Sequence, residues 1–337
     1  MITVENLSKT YLIPQLHTGF LGQMKNLFAR QYRTVHALKD INFNVKEGEI
    51  VGLIGANGAG KSTMIKILTG VIHPDKGKVL VNGYIPQEHQ RKFLKEIGVV
   101  FGQRSQLWWD IGVQDSFYML KDIYEIDKTD FKKRLEWLAE ITEITDILGQ
   151  PVRMLSLGQR MRCDLVAALL HQPKVVFLDE PTIGLDVNVK LKIRECLKQI
   201  NQEFNTTIFI TSHDLIEIER LCHKIIIIDN GSLYFQGNPM ELKQSMSKHR
   251  YVKLQLKERI NDDIKKKLEE MNCKYNLLNE TTIQLTLDQN VHDVNAIIKY
   301  FVSLAKLKDI VIEEASIEEI VQKLWEKREN QISPVDL

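Results

Sequence analysis

The chain has 337 residues, enough for two domains, and its 44% hydrophobic and 26% charged content is that of an ordinary soluble protein. Lys plus Arg total 45 against 44 for Asp plus Glu, so bulk charge points to neither nucleic acid nor an acidic lipid surface, and no nucleic-acid partner is expected. The N-terminus lacks a secretory pattern, no apolar run reaches the roughly 18 residues of a membrane span, and four scattered cysteines (Cys163, Cys196, Cys222 and Cys273) suit a reduced, intracellular setting.

Short strands are predicted at Ile2 to Val4 and at Ile41 to Val45, with Tyr11 between them. They bracket an insertion, Gln15 to His36, that carries Lys25, Arg30 and Arg33 and no acidic residue. Within it Phe20, Leu21, Met24, Leu27 and Phe28 share one helical face, which suits a basic amphipathic helix lying on its own domain, a partner or a membrane.

The apolar run Glu49 to Ile54 reads as a buried strand, and the helix-forming run from Thr63 follows it. Between them, Gly55-Ala56-Asn57-Gly58-Ala59-Gly60-Lys61-Ser62-Thr63 fits G-x-x-x-x-G-K-[ST], a phosphate-binding loop. Small residues let backbone N–H groups close on phosphate oxygens, and the helix N-terminus adds partial positive charge. In that role Lys61 sits on the outer phosphates and Ser62 offers its hydroxyl to Mg²⁺.

Downstream the pattern alternates. A turn at His73 to Gly77, a strand at Lys78 to Gly83 and another at Ile97 to Phe101 lead to Gln103, and a mainly helical stretch covers Val113 to Leu148 until Pro151 breaks it. Ser156 is a good N-cap for the next helix. Val175 to Glu180 is an apolar strand ending in two carboxylates: Asp179 reaches Mg²⁺ in the Ser62 pocket, while Glu180 faces the other way along the pleat and accepts a proton from water. Helix Val187 to Phe204, strand Thr207 to Thr211, His213, helix Asp214 to His223 and strand Lys224 to Ile228 complete a largely parallel sheet, with a marginal hairpin at Ser232 to Phe235. The texture changes near Asn238. Strands at Tyr251 to Leu256, Thr282 to Leu287 and Asp309 to Ile312, with helices at Ile260 to Met271, Val291 to Leu304 and Ile317 to Trp325, suggest a small ferredoxin-like sandwich.

Over about Met1 to Gly237 the chain resembles the ATP-binding subunits of ABC transporters. The motifs follow in order: the phosphate loop Gly55 to Thr63, Gln103 as the glutamine-loop residue, Leu155-Ser156-Leu157-Gly158-Gln159 as the LSGGQ signature, Val175 to Glu180, Gly184-Leu185-Asp186 as the D-loop, and His213 as the switch histidine. Leu157 departs from the pattern, standing where the family has glycine. The LSLGQ variant, and the string Phe101-Gly102-Gln103-Arg104-Ser105-Gln106-Leu107-Trp108-Trp109-Asp110, resemble ABC-2 exporters of the drug or viologen type.

The resemblance implies an α/β fold, a P-loop NTPase core with a helical subdomain at about 105–172, within a nucleotide-binding domain 1–237 and followed by a C-terminal α+β domain 238–337. It implies ATP and Mg²⁺ as cofactors, with Gly55, Ala56, Asn57, Gly58, Ala59, Gly60, Lys61, Ser62 and Thr63 on the phosphates and Tyr11 on the adenine. Ser156, Gly158 and Gln159 would approach the nucleotide of a second copy in an ATP-bound homodimer. Catalysis would fall to Glu180, His213, Lys61 and Gln103, and the metal to Ser62, Gln103 and Asp179. The partner would be an ABC-2-type integral membrane permease at the cytoplasmic face, with Trp108 and Trp109 either docking it or lying in the core. The rival classes are a soluble ABC ATPase of DNA repair, translation or cofactor assembly, disfavoured by the lack of a long coiled coil, and a non-hydrolytic regulator, which Glu180 argues against.

Overall fold

The computed structural model describes residues 1–15, 31–88, 90–102, 105–246, 249–288, 292–304, 307–314 and 316–322. The chain divides into two compact units, Met1–Gly237 and Asn238–Leu337.

At the centre of the first unit lies a six-stranded sheet in the order β5-β6-β7-β3-β8-β9. Its strands are β3 (Ile50–Ile54), β5 (Ile97–Phe101), β6 (Val175–Asp179), β7 (Thr207–Thr211), β8 (Lys224–Asp229) and β9 (Ser232–Gly237). All neighbours run parallel except β9, which returns antiparallel along β8 after the Asn230-Gly231 turn. Every residue of β3 and β7 is buried, as expected of parallel strands covered on both faces. Parallelism brings the carboxyl ends of β3, β6 and β7 to one edge, where the phosphate loop, the two carboxylates and His213 emerge.

A second, antiparallel sheet has the order β2-β1-β4, with β1 at Ile2–Gln15, β2 at Gln31–Val45 and β4 at Lys76–Val81. The short strands expected from sequence are the roots of a long ribbon that stays paired out to Gln15 and Gln31. Residues 31–36, expected within the insertion, are therefore strand. The predicted amphipathic helix, with Phe20, Leu21, Met24, Leu27 and Phe28, lies outside the described residues.

Helix α1 (Lys61–Leu68) follows the phosphate loop, and α2 (Gln90–Glu96), which the sequence reading missed, precedes β5. The helical stretch resolves into α3 (Val113–Ile123) and α4 (Lys128–Ile141), the latter N-capped by Asp127, whose carboxylate accepts from the N–H groups of Thr129 and Asp130. Phe131, Leu135 and Leu138 supply its buried stripe. Beyond Pro151, α5 (Leu157–Leu169) leads into β6, and α6 (Val187–Phe204) and α7 (Leu215–Leu221) flank β7.

The second unit begins with α8 (Pro239–Met246) and continues as β10 (His249–Leu256), α9 (Asp262–Glu270), β11 (Lys274–Asn279), β12 (Thr282–Asp288), α10 (Val294–Leu304) and β13 (Leu307–Glu314). The order β11-β12-β10-β13, antiparallel throughout, is the ferredoxin-like arrangement. Alternation puts Val252, Leu254 and Leu256 of β10 and Ile283, Leu285 and Leu287 of β12 in one core with Leu268 of α9 and Ile297 and Phe301 of α10. No helix of the described residues is long and apolar enough to cross a membrane. All four cysteines are free and buried.

Candidate nucleotide-binding site

The phosphate loop folds as its glycines allow. Gly60, with φ +109°, occupies the N-cap position of α1, and a Cβ there would meet the carbonyl oxygen of Ala37 at 2.5 Å, so only glycine fits. No side chain caps this helix start, which leaves its first turn to an anion. Lys61 is only 7% exposed. Its Nζ donates to the carbonyl oxygens of Gly55 at 2.7 Å and Ala56 at 3.3 Å. Burial pulls the Lys61 ammonium below the usual lysine range, against the opposing pull of Glu180 and Asp179.

Opposite the loop, Thr211 at the end of β7 fixes Asp179, the last residue of β6, and Glu180, which follows it. Its Oγ1 donates to Asp179 Oδ1 at 2.8 Å and accepts from the Glu180 N–H at 2.9 Å. Glu180 has left the strand and taken a left-handed conformation, φ +54°. The pleat argument therefore fails for it: Asp179 and Glu180 line the same cavity rather than opposite faces. Glu180 Oε2 accepts from the His213 N–H at 3.2 Å, and His213 Nε2 lies 3.1 Å from Oε1 without forming a hydrogen bond. Burial raises the Glu180 carboxyl above the usual glutamate range, and the proximity of His213 and Lys61 only partly offsets this.

The cavity so formed has a volume of about 720 Å³ and is lined by Asn57 and Ser62 of the loop, Lys66, Val71, Phe101, Gly102, Asp179, Glu180, Ile183 and His213. It thus joins the loop, the carboxylate pair and the histidine from three separate strand ends. Gly102 allows the close approach of β5, since a Cβ there would meet the Glu180 carbonyl oxygen at 2.5 Å. Gln103, expected at this edge, lies outside the described residues, as does Arg104.

The structure does not bring the other expected residues into this cavity. Tyr11 stands on β1 opposite Val35, with Lys9 Nζ 5.7 Å from its ring centroid. Ser156 caps α5 through a full capping box: its hydroxyl accepts from the Gln159 N–H at 3.2 Å, and Gln159 Oε1 accepts from the Ser156 N–H at 2.8 Å. Leu157 is the first residue of α5 and 40% exposed, so the bulk added to the signature sits outside the helix and leaves its cap intact. Asp186 caps α6 by accepting from the Val189 N–H at 3.0 Å.

Two positions escaped the sequence reading. One is Thr211, whose only sequence signal was a hydroxyl closing an apolar strand two residues before His213. The other is Glu217, buried on α7, whose Oε2 accepts from Thr182 Oγ1 at 2.7 Å and from Ser212 Oγ at 3.1 Å. It thereby ties the turn after Glu180 to the residue before His213. Burial raises its pKa, opposed by those two hydroxyl donors.

A phosphate loop, a strand-end carboxylate pair and a histidine at one edge of a parallel sheet define a P-loop nucleotide hydrolase. Residues 38–183 match the ABC transporter family model. The chain is 29% identical over 218 residues to the ABC transporter ATP-binding protein NatA of Bacillus subtilis, covering 65% of this chain and 88% of that protein. It is 31% identical over 225 residues to the energy-coupling factor transporter ATP-binding protein EcfA2 of Clostridium perfringens, covering 66% and 79%. Among solved structures, the dimeric post-hydrolysis state of the ATP-binding cassette MJ0796 bound to ADP and Pi superposes with a TM-score of 0.58 at 26% identity, covering 71% of this chain and 98% of that one. The chain belongs to the ABC transporter ATP-binding family: it is an ATP-binding cassette subunit and an ATPase.

Proposed function

We propose that this chain is the subunit that powers export through a separate ABC-2-type permease at the cytoplasmic face of the membrane, working as a homodimer closed by ATP. The observation that carries the reading is a division of the site. The cavity is lined by the loop, the carboxylates and His213, while Ser156, exposed at the start of α5, is not part of that lining and would be available to the nucleotide of a second copy. A triphosphate bound by one copy would then join two copies through interactions that a diphosphate lacks.

In this reading Lys61 and the loop amides from Gly55 to Thr63 take the phosphates, Tyr11 takes the adenine, and Ser156, Gly158 and Gln159 reach the partner's nucleotide. The donor set fits Mg²⁺, because a hydroxyl and a carboxylate face one cavity and Thr211 orients Asp179. Ser62, Asp179 and Gln103 would hold the metal, which when bound supplies charge neutralisation to the phosphates. Glu180 is the general base for water, its raised pKa suiting it to take a proton, and His213 holds it in place from the β7 side. Export is supported by the LSLGQ variant and by the 101–110 string. Trp108 and Trp109, 36% and 51% exposed, offer aromatic anchors for the permease. Residues 1–237 form the nucleotide-binding domain, with its helical subdomain at about 105–172, and 238–337 an accessory domain.

The test is Glu180→Gln in the full chain. Turnover should vanish while ATP binding persists and the dimer accumulates in sedimentation, and hydrolysis at the normal rate would remove Glu180 as the base. Co-purification with an ABC-2-type integral membrane protein tests the partner.

A further inference from the structure

The string at 105–110, singled out in the sequence, is held against α5 and the turn before it at several points, and one of them is a buried charge. Asp164 of α5 is 4% exposed and makes no ion pair among the described residues. Its Oδ1 accepts from Ser105 Oγ at 2.8 Å and from the Gln106 N–H at 3.0 Å, and its backbone carbonyl accepts from Gln106 Nε2 at 3.1 Å. Further along, the Arg160 guanidinium lies 5.4 Å from the Trp109 ring centroid, Arg153 pairs with Asp110 at 2.7 Å, and the Arg153 N–H donates to the Trp109 carbonyl. The segment therefore follows α5 as one piece.

A buried carboxylate with no direct ion pair, helped only by the nearby charge of Arg160, is an expensive way to pin a loop, since a neutral amide or an apolar contact avoids the desolvation cost. What the charge adds is stiffness: hydrogen bonds to an ionised acceptor are shorter and about twice as strong as neutral ones. Asp164 lies about two turns along α5 from Ser156, and the segment it grips carries both exposed tryptophans. We infer that Asp164 is a positioning residue that transmits nucleotide-dependent displacement of the Ser156 end of α5 to residues 105–111, so that Trp108 and Trp109 move with the signature helix. This rests on the ATP-closed dimer proposed above.

The experiment uses hydrogen–deuterium exchange on the full chain carrying Glu180→Gln, with and without Mg²⁺ and ATP. In that parent, amides at 156–160 and at 105–111 should both change exchange on adding ATP. Adding Asp164→Ala should preserve the response at 156–160 while reducing that at 105–111 to less than about a third. Asp164→Asn, which keeps an acceptor oxygen without the charge, should restore only part of it, more than Asp164→Ala and less than the parent, an ordering that general destabilisation does not produce. Ser105→Ala removes one donor without altering α5 and should give a partial loss, which keeps the inference testable if Asp164→Ala does not fold. An undiminished response at 105–111 in Asp164→Ala, or in Ser105→Ala if that is the variant that folds, overturns the inference. A parent in which 156–160 responds and 105–111 does not overturns it as well and leaves the dimer standing. A parent in which neither region responds refutes the dimer and the inference together.

Discussion

Replacing Asp164 with asparagine should stabilise the protein near neutral pH. Burial pushes the Asp164 carboxyl up to about 6 from an ordinary 3.8, outweighing the Ser105, Gln106 and Leu107 donors and the charge of Arg160. A difference of about two pH units between native and unfolded states corresponds to about 3 kcal/mol. Below the unfolded value both states keep the proton and ionisation contributes nothing. Between there and about 6 the unfolded chain releases its proton first, so stability falls as pH rises; above about 6 the native state bears the whole penalty. Asparagine preserves an oxygen for Ser105 and Gln106 and never ionises, but its amide nitrogen needs an acceptor, at a cost of about 1 kcal/mol if none is found. The expected net gain is about 2 kcal/mol at about pH 7.5 and about zero near pH 4.5, where the native carboxyl is protonated and the remaining penalty of about 1 kcal/mol only balances the cost of the unpaired amide. Urea midpoints of the two proteins across that range measure it. A gain independent of pH, or a loss at neutral pH, would refute the reasoning.

Thr211→Val removes the hydroxyl shared by Asp179 and the Glu180 amide and should lower kcat by about tenfold or more, as one lost buried bond of about 1.4 kcal/mol implies; steady-state ATPase assays will show whether turnover survives. Glu217→Leu leaves the hydroxyls of Thr182 and Ser212 without their acceptor and should destabilise the chain by about 2 kcal/mol, whereas Glu217→Gln should cost less than half as much, compared by thermal melting. Ser156→Ala breaks the capping box, at a cost of about 1 kcal/mol in urea, and should weaken ATP-dependent dimerisation of the Glu180→Gln protein by sedimentation. Equal dimerisation would detach Ser156 from the partner's nucleotide.

What could be read in the sequence was what local chemistry decides. The strand, glycine loop and helix around Lys61 announce themselves because backbone conformation and apolar runs are local properties, and Ser156 was legible as a cap because its partner, Gln159, lies three residues away. Thr211, Glu217 and Asp164 were not, because each works through residues brought near only by the fold: Thr211 meets Asp179 across 32 positions, and Asp164 meets Ser105 across 59. Glu180 misled because pleat alternation assumes the strand continues, and its left-handed backbone ends it. The outer ribbon of β1 and β2 was hidden for another reason. Leu12, Ile13 and Tyr32 are exposed, so no buried face imposes the alternation that marks a strand. β11 escaped likewise, five of its six residues being exposed.

The state of the four cysteines has a practical side. Burial pushes the Cys163 and Cys196 thiols up to about 12 and raises those of Cys222 and Cys273, so none offers appreciable thiolate to an alkylating reagent at neutral pH. A new cysteine placed on an outward-facing position can therefore carry a maleimide dye or spin label with the native four left in place. Distances between labelled copies become measurable without first removing the native thiols, where the opening and closing of the proposed ATP-bound dimer can be followed in real time.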